Sequence, residues 1–216
     1  MNETLIERTS AFVKQQLTNA EGGHDWFHIE RVYKNSLLIA KAEPVNLLVV
    51  QLGALLHDIA DSKFHNGDET LGPKIARDFL ISENVDKIII EHVIKIIENI
   101  SFKGGNFHSS FTSTELHVVQ DADRLDAIGA IGIARTFNYG GFKNRAIYDP
   151  NIPPKLNMTP KEYKQSTAPT INHFYEKLLI IKDKINTPTG KKIAKQRHEF
   201  MKLYLNQFYN EWDGLL

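Results

Sequence analysis

Apolar positions recur at helical spacing along almost the whole chain, and no segment alternates with the two-residue period of a half-buried strand. Leu5, Phe12, Val13 and Leu17 predict a first amphipathic helix, broken by Gly22-Gly23. A second is predicted from near Asp25 to about Ala42, with Val32, Ser36, Ile39 and Ala40 inward and Pro44 as punctuation. Leu47 to Ala60 is apolar on nearly every side, which predicts a central buried helix. Ala76, Phe79 and Leu80 mark a helix after Pro73, and apolar residues at 85, 89, 93, 96, 97 and 100 mark the next, with Asn84 as its cap. Phe102 to Phe111 reads as a loop. Thr112-Ser113-Thr114-Glu115 reads as a capping box opening one long helix through Val118, Val119, Ala122, Leu125 and Ile128 toward Phe137. Thr159-Pro160-Lys161-Glu162 restarts a helix with a cap, a first-turn proline and a capping-box glutamate. Pro169 to Ile185 reads as helical, and Thr189 opens a last helix with Ile193, Phe200, Met201, Tyr204, Leu205, Phe208 and Trp212 on one face. The expected fold class is all-α, with one long irregular loop over 139–158 that carries Gly140, Gly141, Pro150, Pro153 and Pro154.

Composition narrows the function classes. Lys+Arg and Asp+Glu both number 26, so there is no bulk positive charge of the kind that marks a nucleic-acid binder. The chain has no cysteine, which excludes disulfides, thiolate ligands, iron–sulfur clusters and a cysteine nucleophile, and fits a cytoplasmic protein. Met1 to Leu17 mixes charges among its apolar residues and lacks the layout of a signal peptide. The longest apolar stretch, Val45 to Leu56, is too short and interrupted to span a membrane.

The candidate chemistry sits in four places. His57-Asp58 ends an apolar helix, where a carboxylate is rarely buried unless paired or coordinating a cation. Alone, the pair also reads as a satisfied core histidine beside a cap. A second acidic cluster, Asp121, Asp123 and Asp126, interrupts a run that otherwise reads as core, with Asp123 and Asp126 on one helix face. Carboxylates gathered in a dry place repel one another unless a cation sits among them, and Arg124 and Arg135 cannot easily serve all three. His24 and His28 are four apart, but Gly22-Gly23 puts His24 before the helix and no third ligand follows at zinc-peptidase spacing; His28 remains a candidate ligand. His92 reads as a structural histidine.

The ordered set His28, His57-Asp58 and Asp123 resembles the HD superfamily of metal-dependent phosphohydrolases. Gly23-His24-Asp25-Trp26-Phe27-His28-Ile29-Glu30-Arg31-Val32, Leu55-Leu56-His57-Asp58-Ile59-Ala60-Asp61, Ile100-Ser101-Phe102 and the run from Gln120 through Asp123-Arg124-Leu125-Asp126 to Ala130 resemble a bacterial subgroup that includes nucleoside-triphosphate pyrophosphohydrolases. The likeness runs nearly end to end, including 173–178 and the last helix to Trp212. It implies an HD-domain helical bundle over 1–216, with a metal-binding part at about 24–130 on which helices in 159–213 pack.

The resemblance further implies that His28, His57, Asp58 and Asp123 hold one divalent metal, with Asp121 as the alternative to Asp123. Mixed nitrogen and oxygen donors suit Mn, Fe, Co, Ni or Zn better than an oxygen-preferring ion such as Mg, and the resemblance leans to Mn. Asp61, one turn past His57-Asp58, is the candidate general base or orienter of water, with a solvated helix-end carboxylate as the bland reading. His24 and Asp25 are candidates for an acid or for support of the ligands, and Asp126 for orienting His28 or His57. Lys177, Arg197, Arg124 and Arg135 lead the candidates for polyphosphate, followed by Lys143 and Arg145; Trp26 and Tyr139 are candidates for stacking on a base. The expected activity is nucleoside triphosphate to monophosphate plus pyrophosphate, against a phosphomonoesterase, a phosphodiesterase or a non-catalytic metal-containing regulatory module. A nucleotide is the expected partner, with no nucleic acid or membrane, and a homodimer is left open.

Overall fold

A computed structural model describes residues 4–18, 25–60, 68–100 and 111–216. Every regular element among them is helical. Of these helices, none is long and apolar enough to cross a membrane. The chain divides into two compact units, Met1–Asp123 and Arg124–Leu216.

The first unit holds α1 (Leu5–Gln16), α2 (Trp26–Ala40), α3 (Leu47–Leu56), α4 (Leu71–Ser82), α5 (Lys87–Asn99) and most of α6 (Thr114–Asp126). Its centre is α3, which packs on α1, α2 and α5. From Val49 to Leu56 every residue except Gln51 is buried, and Gln51 donates from Nε2 to the Tyr33 hydroxyl at 3.0 Å. Leu52, Leu55 and Leu56 are wholly buried, and full burial of such side chains is worth about 1.5–3 kcal/mol each. An all-round apolar helix needs covering on every side, so its neighbours supply Ile29, Val32, Val93, Ile96, Val118 and Val119 to the same core.

Helix ends depart from the sequence expectation in instructive ways. The buried helix stops at Leu56 rather than Ala60, leaving His57 as its C-cap. Asp86, not Asn84, caps α5; Asn84 takes φ 56° in the turn before it. Ser113 caps α6 by accepting from the Leu116 amide, while Glu115 accepts from the Asn46 amide at 2.8 Å and so ties the start of α3 instead of closing a capping box. Thr187 caps the last helix, with Pro188 in its first turn, rather than Thr189.

The second unit holds α7 (Gly129–Phe142), α8 (Pro160–Gln165), α9 (Asn172–Glu176), a 3-10 helix (Leu178–Lys184) and α10 (Pro188–Trp212). The single long helix expected from 114 toward 137 is broken. α6 ends at Asp126, and Gly129, at φ +76°, starts α7. The break frees the last carbonyls of α6, and arginines meet them: Arg197 donates to the Leu125 carbonyl at 2.6 Å, and Arg135 donates to the Asp126 carbonyl at 3.2 Å and to its carboxylate at 2.6 Å. α7 runs to Phe142, so the irregular stretch starts later than Tyr139. The expected helix over 169–185 is two short pieces, α9 and the 3-10 helix. The capping box Thr159/Glu162 forms as expected, and Lys155 beside it helps hold the Glu162 carboxyl down to about 2.

Gly140 lies where α7 meets Thr170; a Cβ there would stand 2.2 Å from Thr170 Oγ1. Thr170 is buried and its amide is held by the Ala146 carbonyl at 2.8 Å, so it cannot step aside. Gly140→Ala is therefore expected to cost about 1–3 kcal/mol of overpacking, read as a lower urea midpoint, and most of that cost should vanish when Thr170→Ala is introduced first.

His173 contributes to the pH dependence of this unit. Its Nδ1 accepts from the Tyr163 hydroxyl at 3.1 Å; desolvation, then Lys177 and Arg145, lower its pKa from 6.5 to about 3. Burial likewise pushes Tyr163 up to about 12, so the phenol keeps the proton it donates. Because the unfolded chain protonates His173 first, its contribution to stability is complete above pH 6.5 and falls as pH drops toward about 3, at about 1.4 kcal/mol per pH unit. Urea midpoints between pH 8 and pH 5 should drop less for His173→Gln than for wild type.

Candidate metal centre

Three segments of the first unit deliver the predicted ligands. Asp25 caps α2 by accepting from the His28 amide at 3.0 Å, which fixes the first turn from which the buried His28 projects. His57 and Asp58 follow directly where α3 ends, so the rigidity of a wholly packed helix passes to them. Asp123 lies on α6 between the buried Ala122 and Leu125.

One donor atom from each of His28, His57 and Asp58 lies within 4.8 Å of the others. The Asp123 carboxylate stands 3.5 Å from His28 Nε2 and 4.0 Å from His57 Nε2. Donors about 2.1 Å from one octahedral ion are separated by about 3 Å (cis) to about 4.2 Å (trans), so both separations suit a shared cation. The two imidazoles meet edge to face with centroids 5.3 Å apart. Asp121 is wholly buried, whereas the Asp123 side chain is 39% exposed and faces the histidines.

The residues fit a divalent cation on a specific observation. His57 Nδ1 lies 2.9 Å from the Ala54 carbonyl, which can only accept, so Nδ1 carries a proton and in the neutral ring Nε2 presents a bare lone pair. That Nε2 is buried and has no hydrogen-bond partner among the described residues. A lone pair aimed at a carboxylate with no proton between them is repulsive, and a cation between the two removes the conflict. The Ala54 carbonyl is the orienting partner the sequence did not reveal; its only signal was its place three residues before the histidine on a helix. Asp126, expected to orient His28 or His57, accepts from Arg135 at 2.6 Å.

His24 and Asp61 lie outside the described residues. Asp25 acts as the N-cap of α2. Arg124 donates to the Lys184 carbonyl at 2.5 Å, and with Arg135 and Arg197 it is engaged by acceptors of the second unit. Desolvation lowers the Arg197 pKa. Lys177 lies over the Tyr163 ring at 5.6 Å. Trp26 packs under Lys14 at 4.5 Å. His92 is structural as expected: its Nε2 is 2.9 Å from Ser113 Oγ and 3.6 Å from Glu115, joining α5 to the start of α6.

The wild-type chain, stripped with EDTA and reloaded, is expected to retain close to one Mn per chain by elemental analysis after gel filtration. His57→Ala should retain far less while keeping its helical circular dichroism. Equal retention by the two would remove His57 from the centre.

Comparison with known proteins agrees with this arrangement. The HD domain family model matches residues 26–128. The Bacillus subtilis protein YpgQ is 35% identical over 210 residues, covering 97% of this chain and 94% of its own. A crystal structure of YpgQ in complex with ADP superposes with TM-score 0.76 at 33% identity, over 95% of this chain and 94% of that one. An HD-superfamily hydrolase from Bacillus thuringiensis is 43% identical over 96% of both chains, with TM-score 0.78. With the His-Asp pair at the end of its buried helix and relatives matching along nearly its whole length, this chain belongs to the HD superfamily of metal-dependent phosphohydrolases.

Proposed function

We propose that the protein hydrolyses nucleoside triphosphates to nucleoside monophosphate and pyrophosphate, using a single Mn ion held by His28, His57, Asp58 and Asp123. The observation that carries the metal reading is the buried Nε2 of His57, without a hydrogen-bond partner among the described residues and 4.0 Å from the Asp123 carboxylate. The nucleotide reading is supported by YpgQ, which binds ADP in its crystal structure and is similar over almost the whole chain. A cysteine-free composition fits work in the cytoplasm.

A bound divalent cation supplies Lewis acidity toward a phosphoryl oxygen and makes a nearby water more acidic. The chain's own residues hold and orient. Ala54 fixes the His57 ring, Asp25 fixes the turn bearing His28, and packed α3 fixes the direction of Asp58. In the proposed reaction water oxygen bonds to the α-phosphorus, the bond from that phosphorus to the bridging oxygen breaks, and pyrophosphate leaves. Asp61 is proposed to take the water's proton, and His24 to act as acid or support. Lys177, Arg124, Arg135 and Arg197 are the proposed cations for the polyphosphate.

A metal-by-nucleotide screen with product identification tests this. Mn-loaded protein is expected to release monophosphate and pyrophosphate in equal amounts, with ¹⁸O from water in the monophosphate. His57→Ala and Asp123→Ala should each lower the rate by more than about 100-fold, since loss of a ligand exceeds the 10- to 100-fold typical of its supporting partners. Release of inorganic phosphate from monophosphates alone would replace this reading with a phosphomonoesterase. Opening of cyclic or dinucleotide esters alone would indicate a phosphodiesterase. Inertness across the panel would favour a regulatory module.

A further inference from the structure

The second unit contains a pocket that the metal centre does not use. Its cavity is about 400 Å³, within the range of small-molecule sites, and is lined by Tyr139, Lys143, Asn144 and Arg145 on one side and by Gln165, Ser166 and Thr167 on the other. Among the described residues, two cations line it and no carboxylate does. Neither Lys143 nor Arg145 forms an ion pair among the described residues, so their charge is uncompensated there. Both lie 5.6 Å from the Tyr139 ring, itself 45% exposed.

The pocket is built. α7 ends in a Schellman turn: Asn144, at φ 52°, donates to the Gly141 carbonyl at 3.0 Å, and Arg145 donates from its amide to the Gly140 carbonyl at 2.9 Å. That turn brings Arg145 back toward Tyr139. One guanidinium nitrogen is then anchored on the Ser166 carbonyl at 2.5 Å, which leaves other donors of the fork for a ligand. The opposite wall follows α8, which Tyr163 ties to His173 at 3.1 Å. The Thr170 and Ile171 amides donate hydrogen bonds to the Ala146 and Ile147 carbonyls at 2.8 and 3.0 Å. Asn144, Gln165 and Thr167 add neutral donors.

We propose that this pocket binds a nucleoside di- or triphosphate, with Lys143 and Arg145 on the phosphates and the Tyr139 ring against the base. Unpaired cations and neutral donors around a carboxylate-free cavity recognise phosphate oxygens. The exposed aromatic face gives a planar ring somewhere to stack.

Equilibrium dialysis with ADP, adenosine and pyrophosphate on full-length protein in EDTA tests this apart from any hydrolysis. Metal-free wild type is expected to bind ADP more tightly than adenosine or pyrophosphate, and His57→Ala should bind it equally well. Lys143→Gln and Tyr139→Leu should each weaken ADP by at least about fivefold, with unchanged thermal midpoints. Of the two, only Tyr139→Leu should leave pyrophosphate unaffected. Unchanged ADP affinity in both variants, or ADP binding lost in His57→Ala, would overturn the proposal. Pyrophosphate binding as tightly as ADP would overturn the role of Tyr139 and leave an anion site. Because no metal is present, failure of the pyrophosphohydrolase reading leaves these outcomes unaltered.

Discussion

The metal centre depends on how His57 is held. Its ring is attached where a fully buried helix stops, its Nδ1 proton is fixed by a carbonyl one turn back, and its other nitrogen is buried without a hydrogen-bond partner among the described residues. Each of these facts follows from the one before. An all-apolar helix packs on every side and becomes rigid; a rigid end gives the next side chain one direction; a donated Nδ1 proton leaves Nε2 as an acceptor. A bare acceptor facing a carboxylate is relieved by a cation between them. The helix core and the metal chemistry are thus one design, and the ion completes electrostatics that the fold leaves open.

The same logic of exposed backbone groups organises the second unit. Where α6 breaks before Gly129, its last carbonyls need donors. Two arginines, from α7 and α10, reach them, one also neutralising the buried Asp126. These cations look from sequence like phosphate ligands because they interrupt apolar faces. An arginine on such a face has another use, which is to close a helix end that no side chain nearer in sequence can reach. Lys143 and Arg145, by contrast, face a cavity with no acid among its lining residues.

Membership of the HD superfamily accounts for a centre built from a histidine on one helix, a His-Asp pair at the end of the next and an aspartate on a third. It does not choose a substrate, since one fold hosts many reactions.

Much of this protein was legible from spacing alone. Helical periodicity marked the regular class and most of the elements, because burial forces one face of every helix to be apolar wherever its neighbours lie. His57-Asp58 stood out because charge at the end of a greasy helix is costly, and His28 and Asp123 joined it through the resemblance of the ordered motif. Helix ends were less legible. Asn84, Thr112, Thr189 and Glu115 all carry capping chemistry, but which residue caps depends on where the chain must turn, and Glu115 was taken by the amide of Asn46, far away in sequence. The orienting carbonyl of Ala54 and the arginines closing α6 were equally invisible. Local patterning determined which segments coil and which side chains carry chemistry, because those depend on neighbours a few residues away. Only the tertiary structure decided which of those side chains meet, which carbonyl holds a histidine and which cation serves the fold, because such contacts join residues whose separation along the chain says nothing about their distance in space.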